Sequence, residues 1–145
     1  MMNNWFECKV SFDKTGEDGL IKKVTEPYLV DAMSFTEAES RIVEEITPFV
    51  SGELVVAHIK RAKIAELFTN DAGDKWYRCK VNFVSFDEKK QVEKRVPQVM
   101  MVQASNFKNA LDNLLEGMKG TMADYEIATI SETMIMDVFP FKPKE

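Results

Sequence analysis

Trp5-Phe6-Glu7-Cys8-Lys9-Val10-Ser11-Phe12 and Trp76-Tyr77-Arg78-Cys79-Lys80-Val81-Asn82-Phe83 share Trp, Cys, Lys, Val and Phe at a constant offset of 71 residues. In the first stretch Phe6, Cys8, Val10 and Phe12 alternate with Trp5, Glu7, Lys9 and Ser11. A period of two marks a half-buried strand, with the first set turned to a core and the second turned away. The match continues outward in order. Pro27 aligns with Pro97, and Tyr28-Leu29-Val30 with Gln98-Val99-Met100. Ala32, Phe35, Ala38 and Ile42 align with Ala104, Phe107, Ala110 and Leu114, Val56–Ile59 with Ile127–Ile130, and Ile64–Phe68 with Ile135–Phe139. Ordered matches over a whole unit are the signature of an internal repeat.

Each copy predicts the same coarse plan. After the first strand comes a turn (Lys14-Thr15-Gly16-Glu17-Asp18-Gly19, or Asp87-Glu88-Lys89), then a second strand over about 20–32 or 91–102. Pro27 has no N–H for a ladder, which places it at an edge or a bulge. The period then changes. Ser34 with Glu37 three residues on reads as a capping box, and Phe35, Ala38, Ile42, Ile46 and Phe49 form an apolar helical face closed by Pro48 and Gly52. In the second copy Asn106 is the cap and Gly120 the stop, with Phe107, Ala110, Leu111, Leu114, Leu115 and Met118 as the stripe. A final extended segment runs over 54–68 and 125–139. Its apolar parity slips between Ile59 and Ile64 and again between Ile130 and Ile135, which calls for a bulge or a tight bend dividing two strands. The expectation is an α+β fold. It is a tandem duplication of a strand-strand-helix-strand(-strand) unit, mainly antiparallel with one helix per repeat, over residues 1–70 and 75–141. Units of this size have little core alone, so the copies are expected to form one compact domain about a pseudo-two-fold axis. The turn-rich joint is Thr69-Asn70-Asp71-Ala72-Gly73-Asp74.

The aromatic-Cys-Lys-Val opening, the Ser34-Phe35-Thr36-Glu37-Ala38-Glu39 helix start and the closing Asp137-Val138-Phe139-Pro140-Phe141 resemble an uncharacterised, domain-of-unknown-function family. Its members are small proteins from Bacteroides-type gut bacteria and their phages. The resemblance covers nearly the whole chain. It implies a phage or mobile-element setting and transfers no active-site residue.

Composition narrows the function classes. The 145 residues are 45% hydrophobic and 30% charged with a net charge of −5, which suits a globular protein and gives no general attraction to nucleic acid. The imbalance is local: residues 1–74 carry 8 Lys/Arg against 14 Asp/Glu, residues 75–145 carry 11 against 10. No apolar run reaches the roughly 20 residues of a membrane helix, and Met1-Met2-Asn3-Asn4 lacks the basic start of a secretory signal. Two cysteines and one histidine make neither a disulfide framework nor a zinc set. The expected location is cytoplasmic, with reduced thiols, no cofactor, no metal and no membrane partner.

No catalytic motif is present in the sequence, so the expected catalytic set is empty and the chain is read as a non-enzyme. Cys8 and Cys79 occupy equivalent inward positions and read as small hydrophobes. The sharper candidates lie on the outward side of the first strands: Trp5 and Lys9, then Trp76, Arg78 and Lys80. Aromatic and basic side chains alternating on an open sheet suit single-stranded nucleic acid; the preferred alternative packs this face against the other copy, with the indoles as interface anchors and the lysine side chains lying over them. A second basic patch is His58 with Lys60, Arg61 and Lys63, which has no basic counterpart at Thr129–Met134. A solvated strand end is the commoner reason for such a run. Lys89, Lys90, Lys94 and Arg95 form a third. The acidic ending Asp137–Phe141, followed by Lys142-Pro143-Lys144, superficially resembles the tail of bacterial single-stranded-DNA-binding proteins, but reads as strand. The leading expectation is a non-catalytic binding or adaptor protein with a protein partner or self-association. A single-stranded nucleic-acid binder is the alternative, and a small enzyme with a carboxylate site the remote one.

Overall fold

The computed structural model describes residues 4–141; Met1-Met2-Asn3 and Lys142-Pro143-Lys144-Glu145 lie outside the described residues. Among the described residues it is a mixed α+β protein with two α-helices and two mainly antiparallel four-stranded sheets. The elements in chain order are β1 Trp5–Thr15, β2 Ile21–Asp31, α1 Phe35–Ile46, β3 Leu54–Ala62, β4 Glu66–Phe68, β5 Lys75–Asp87, β6 Val92–Ala104, α2 Phe107–Gly117, β7 Asp124–Glu132 and β8 Val138–Phe139. The chain divides into two units. One holds the residues up to Lys63 together with those from Met134 onward, and the other is Ile64–Thr133.

In the first unit the sheet order is β3-β1-β2-β8. β1 is antiparallel to β2 and β3, while β8 runs parallel to β2. Helix α1 starts at Ser34, whose Oγ accepts from the Glu37 N–H at 3.1 Å, and ends before the Thr47–Phe49 turn, where Pro48 stands. It buries Ala38, Ile42 and Ile46 against Phe6, Cys8, Val10, Phe12, Tyr28 and Val30. The inward strand set expected from the alternation is thus the core. The helical stripe is narrower than its apolar letters imply: Phe49 is 83% exposed, because the 3-10 turn after α1 rotates it off the buried face.

The second unit has the order β4-β6-β5-β7, with β4 parallel to β6 and the rest antiparallel. Asn106 Oδ1 accepts from the Asn109 N–H at 2.8 Å. Helix α2 buries Ala110 and Leu114, and Met118 follows at its end, against Tyr77, Cys79, Val81, Met100 and Val102. Phe107 and Leu115 are exposed. Gly73 is buried against the β6 end, and a Cβ there would lie 2.6 Å from the Ala104 backbone. Gln103 ties this turn down by donating to Gly73 O and accepting from Asn70 N–H, both at 3.0 Å.

Registers agree between the units in detail. Each central strand has an irregularity against its third neighbour, between Lys9 and Val10 and between Lys80 and Val81. One extra residue, Ala57 or Ala128, is accommodated there, so Val56 and Ile59 both face the core although three positions apart. The later parity slip is a break dividing two strands: β3 ends at Ala62 and β4 begins at Glu66, and β7 ends at Glu132 before β8 at Val138. The alignment of the prolines needs correction. Lys9 pairs with Pro27, whereas Lys80 pairs with Val99 and Pro97 stands opposite Asn82. Measured from the matched lysines, Pro97 therefore sits two residues nearer its hairpin tip, and Tyr28 corresponds to Met100. Both prolines point their missing N–H away from the central strand. Pro27 O and Val99 O accept from Met136 N–H and Ala65 N–H on that outer side, at 2.9 and 2.8 Å.

Those two bonds belong to short parallel strands with an unexpected origin. β4 follows β3 in the chain yet completes the sheet of the second unit. β8 follows β7 yet completes the sheet of the first. The hydrophobic pattern reports that a segment is half-buried but not which core buries it, so periodicity could not reveal the exchange.

Candidate functional site

β1 and β5 position the predicted aromatic–basic face, and the two indoles there are buried. Trp5 is 3% exposed and Trp76 4%. The stacking platform considered from the sequence has no accessible ring here. Alternation places them opposite the helix-covered face, as expected, but the sheet edge around Trp5 also buries Leu29 and Asp31, and that around Trp76 buries Met101. A base cannot stack on a ring that has no accessible face. Lys9 and Lys80 on the same strands are exposed, and Arg78 is half-buried opposite Met101 and Ser131.

Strand alternation also divides the second patch. His58 is the register partner of Lys9, and Lys60 that of Glu7, so these side chains share the face of Lys9. Lys60 Nζ lies 3.4 Å from Glu7 Oε2. Arg61 turns to the helix side, where its guanidinium sits 5.2 Å from the Phe6 ring centroid and 5.4 Å from that of Phe35. The two rings meet edge to face at 4.9 Å. Arg61 thus caps an aromatic pair by cation–π attraction rather than joining Lys60. Lys63 is exposed beyond the end of β3. Of the nine candidates, Lys9, His58 and Lys60 share one face of the first sheet, and Arg78 and Lys80 share the corresponding face of the second.

The third basic stretch is similarly engaged. Arg95 Nε donates to Glu126 Oε1 at 2.8 Å, and its Nη2 lies 3.4 Å from Glu93. This pairing holds the Glu126 carboxyl below its ordinary range. Asp87 Oδ1 accepts from the Lys89 and Lys90 N–H groups, which shapes the hairpin turn, and Gln91 takes the left-handed conformation there.

Cys8 and Cys79 are free thiols with no exposed surface. Burial pushes each pKa up to about 11, with the neighbouring Glu7 adding to the effect at Cys8. Thiolate character at neutral pH is therefore minimal, and neither is an activated nucleophile. Among the described residues no group of three or more His, Cys, Asp or Glu could hold a metal ion. No helix there is long and apolar enough to cross a membrane.

One feature was not anticipated from the sequence. β5 and β6 pair along thirteen residues each, out to Asp87 and Val92, whereas β7 accompanies β5 only as far as Val84. Beyond that point the hairpin is a two-stranded ribbon carrying Phe86, 57% exposed, and Val92, 50% exposed. They lie on opposite faces, since Phe86 pairs with Glu93 and Val92 with Asp87. The available signal was the letters themselves: apolar Phe86 and Val92 sit beside the turn where solvated residues are the rule.

Comparison with known proteins supplies a family. Residues 4–141 match the domain of unknown function DUF4494, and the chain belongs to that family. No curated protein and no solved structure matches it.

Proposed function

We propose that the chain is a tandem duplication of one β-β-α-β unit with pseudo-two-fold symmetry, serving as a non-catalytic binding or adaptor protein for a protein partner. Support for duplication comes from the identical strand orders, from irregularities at matched lysine–valine steps, and from equivalent registers of the short parallel strands. The observation that carries the binding reading is the β5–β6 ribbon. Two large apolar side chains, Phe86 and Val92, stand in solvent on a segment that no third strand accompanies among the described residues. An isolated ribbon gains nothing in stability from exposing them, whereas burial against a partner is worth about 25 cal/mol per Å². A cytoplasmic, phage- or mobile-element setting belongs to the same proposal and is tested by the neighbouring genes.

The deciding experiment is affinity capture from host lysate, with and without nuclease, comparing the wild type with a Phe86→Ser/Val92→Ser variant. A partner that survives nuclease and is lost with the variant is the expected result. Equal recovery by both proteins rejects the ribbon as the binding element. The nucleic-acid alternative retains the exposed Lys9, His58 and Lys80 but lacks accessible indoles. Tryptophan fluorescence should accordingly be unchanged by a single-stranded oligonucleotide at low salt.

A further inference from the structure

The outer edges of β2 and β6 each accept a short parallel strand, and the two donors have the same chemistry: Glu66-Leu67-Phe68 and Asp137-Val138-Phe139. Their placement is equivalent as well. Leu67 and Phe68 stand against Met101 and Val102; Val138 and Phe139 stand against Leu29 and Val30. Leu29 and Met101 are in turn the register partners of Glu7 and Arg78, at matched positions of β1 and β5. The residue just before each donor strand anchors it, Ala65 N–H to Val99 O and Met136 N–H to Pro27 O, with Asp137 O also accepting from Leu29 N–H at 3.1 Å. Each donor ends in a Phe with a dedicated seat: Phe68 over Gly117 of α2, and Phe139 stacked on Tyr28 at 5.9 Å.

We infer that these edges are strand-acceptor sites for an acidic–aliphatic–Phe segment, and that the occupant is another half of this chain, whether joined to it or supplied by a second copy. The connectivity makes the point. Cutting the Thr69–Asp74 joint leaves one fragment carrying β1, β2, α1, β3 and the donor β4. The other carries β5, β6, α2, β7 and the donor β8. Each then lacks the strand it needs and carries the strand the other lacks. Recognition is by backbone pairing plus one aromatic anchor, the β-augmentation mode. Nothing in it distinguishes a donor in the same chain from one in a second copy. The intact joint raises the effective concentration of the cis donor and hides the exchange; a cut joint exposes it.

The test places a protease site within residues 69–74 of the full chain and cuts it after folding. Cut wild-type protein is expected to migrate as one species of undivided mass at micromolar concentration. Mixed with isotope-labelled cut protein, it should yield mixed-label pairs by native mass spectrometry. Ala65→Pro with Met136→Pro removes the two anchoring N–H groups and should separate the fragments. Phe139→Ala, with circular dichroism checked as unchanged, should speed mixing by about tenfold, as interface changes act mainly on dissociation. Separation of the wild-type fragments on cutting overturns the inference. So does mixing that Phe139→Ala leaves at the wild-type rate, since the fragments would then be held by something other than the donor strands.

Discussion

The two short parallel strands occupy equivalent places in their sheets but are secured by different side chains. In the first unit Arg41 of α1 donates to Asp31 O at the end of β2 and to Pro140 O just past β8, the latter at 3.1 Å, and Tyr28 stacks on Phe139. In the second, Asn113 takes the place of Arg41 and donates to Gln103 O at 2.9 Å without reaching the short strand. The Phe68 ring instead lies against Gly117, where a Cβ would stand 2.7 Å from it. One unit uses a long cation as a clamp; the other removes a side chain and lets the ring settle on the helix. The backbone plan thus tolerates two ways of holding the same strand, and the residues that differ are those free to be replaced together.

This comparison fails most visibly if the cores beneath the two strands are unequal. Ile42→Ala and Leu114→Ala each empty a fully buried position under a helix. Each should cost about 2–5 kcal/mol in urea unfolding, and a difference well beyond that spread would show that the units are not energetically matched. Next in size is the clamp. Arg41→Ala should destabilise by about 1–3 kcal/mol through its charged hydrogen bonds, against about 1 kcal/mol for Asn113→Ala. Hydrogen exchange should rise at Leu29 N–H, the partner of Asp137 O, in the first variant only. Gly117→Ala should lower stability by about 1 kcal/mol, reversing the gain of similar size that a helical Gly→Ala normally brings. Glu45→Ala, at the position of α1 equivalent to Gly117, should stay within about 0.5 kcal/mol.

The smallest effect is alkaline and should be shared. Both thiols have folded pKa values raised from 9.0 to about 11 by burial. The unfolded chain therefore loses these protons first as pH rises. The stabilisation is complete below pH 9 and declines through about pH 11. Cys8→Ala or Cys79→Ala should each flatten that decline by a similar amount, measured as the midpoint of thermal unfolding against pH. A thiol reagent at neutral pH should label neither cysteine quickly in the native protein.

Much of this was legible in the letters, and the reasons are specific. The alternation at Phe6–Phe12 and the 3–4 spacing at Ala38–Ile42–Ile46 report burial directly, because side-chain direction is set by backbone period. Even the β1–β3 irregularity had a trace in Val56 and Ile59, two core residues an odd number apart. Other features had none. Parity places Trp5 and Trp76 on the side away from Phe6 and Tyr77, but it does not say whether that side is covered. The basic run at Lys60–Lys63 looked continuous in sequence and is divided by the same alternation. Pro27 and Pro97 matched as letters while standing two residues apart in register, since a shared residue type marks a shared edge rather than a shared rung. The proposed function is less legible still, because recognition by a ribbon or a strand edge needs no special chemistry that a motif would display.

Those prolines have a further consequence for solubility. Outward of β2, no strand is paired along residues 21–26 among the described residues, and outward of β6 none along 92–98. An open edge of about six or seven residues is a template on which a stray chain builds amyloid-like layers. A proline ends the open row of donors on the first edge and interrupts it on the second, and lysines stand on the same stretches: Lys22 and Lys23 before Pro27, Lys94 before Pro97. The protein thereby keeps a welcoming edge for its own three-residue donors while denying longer strangers a continuous ladder, so the same residues that look like imperfections in a strand act as its guard against aggregation.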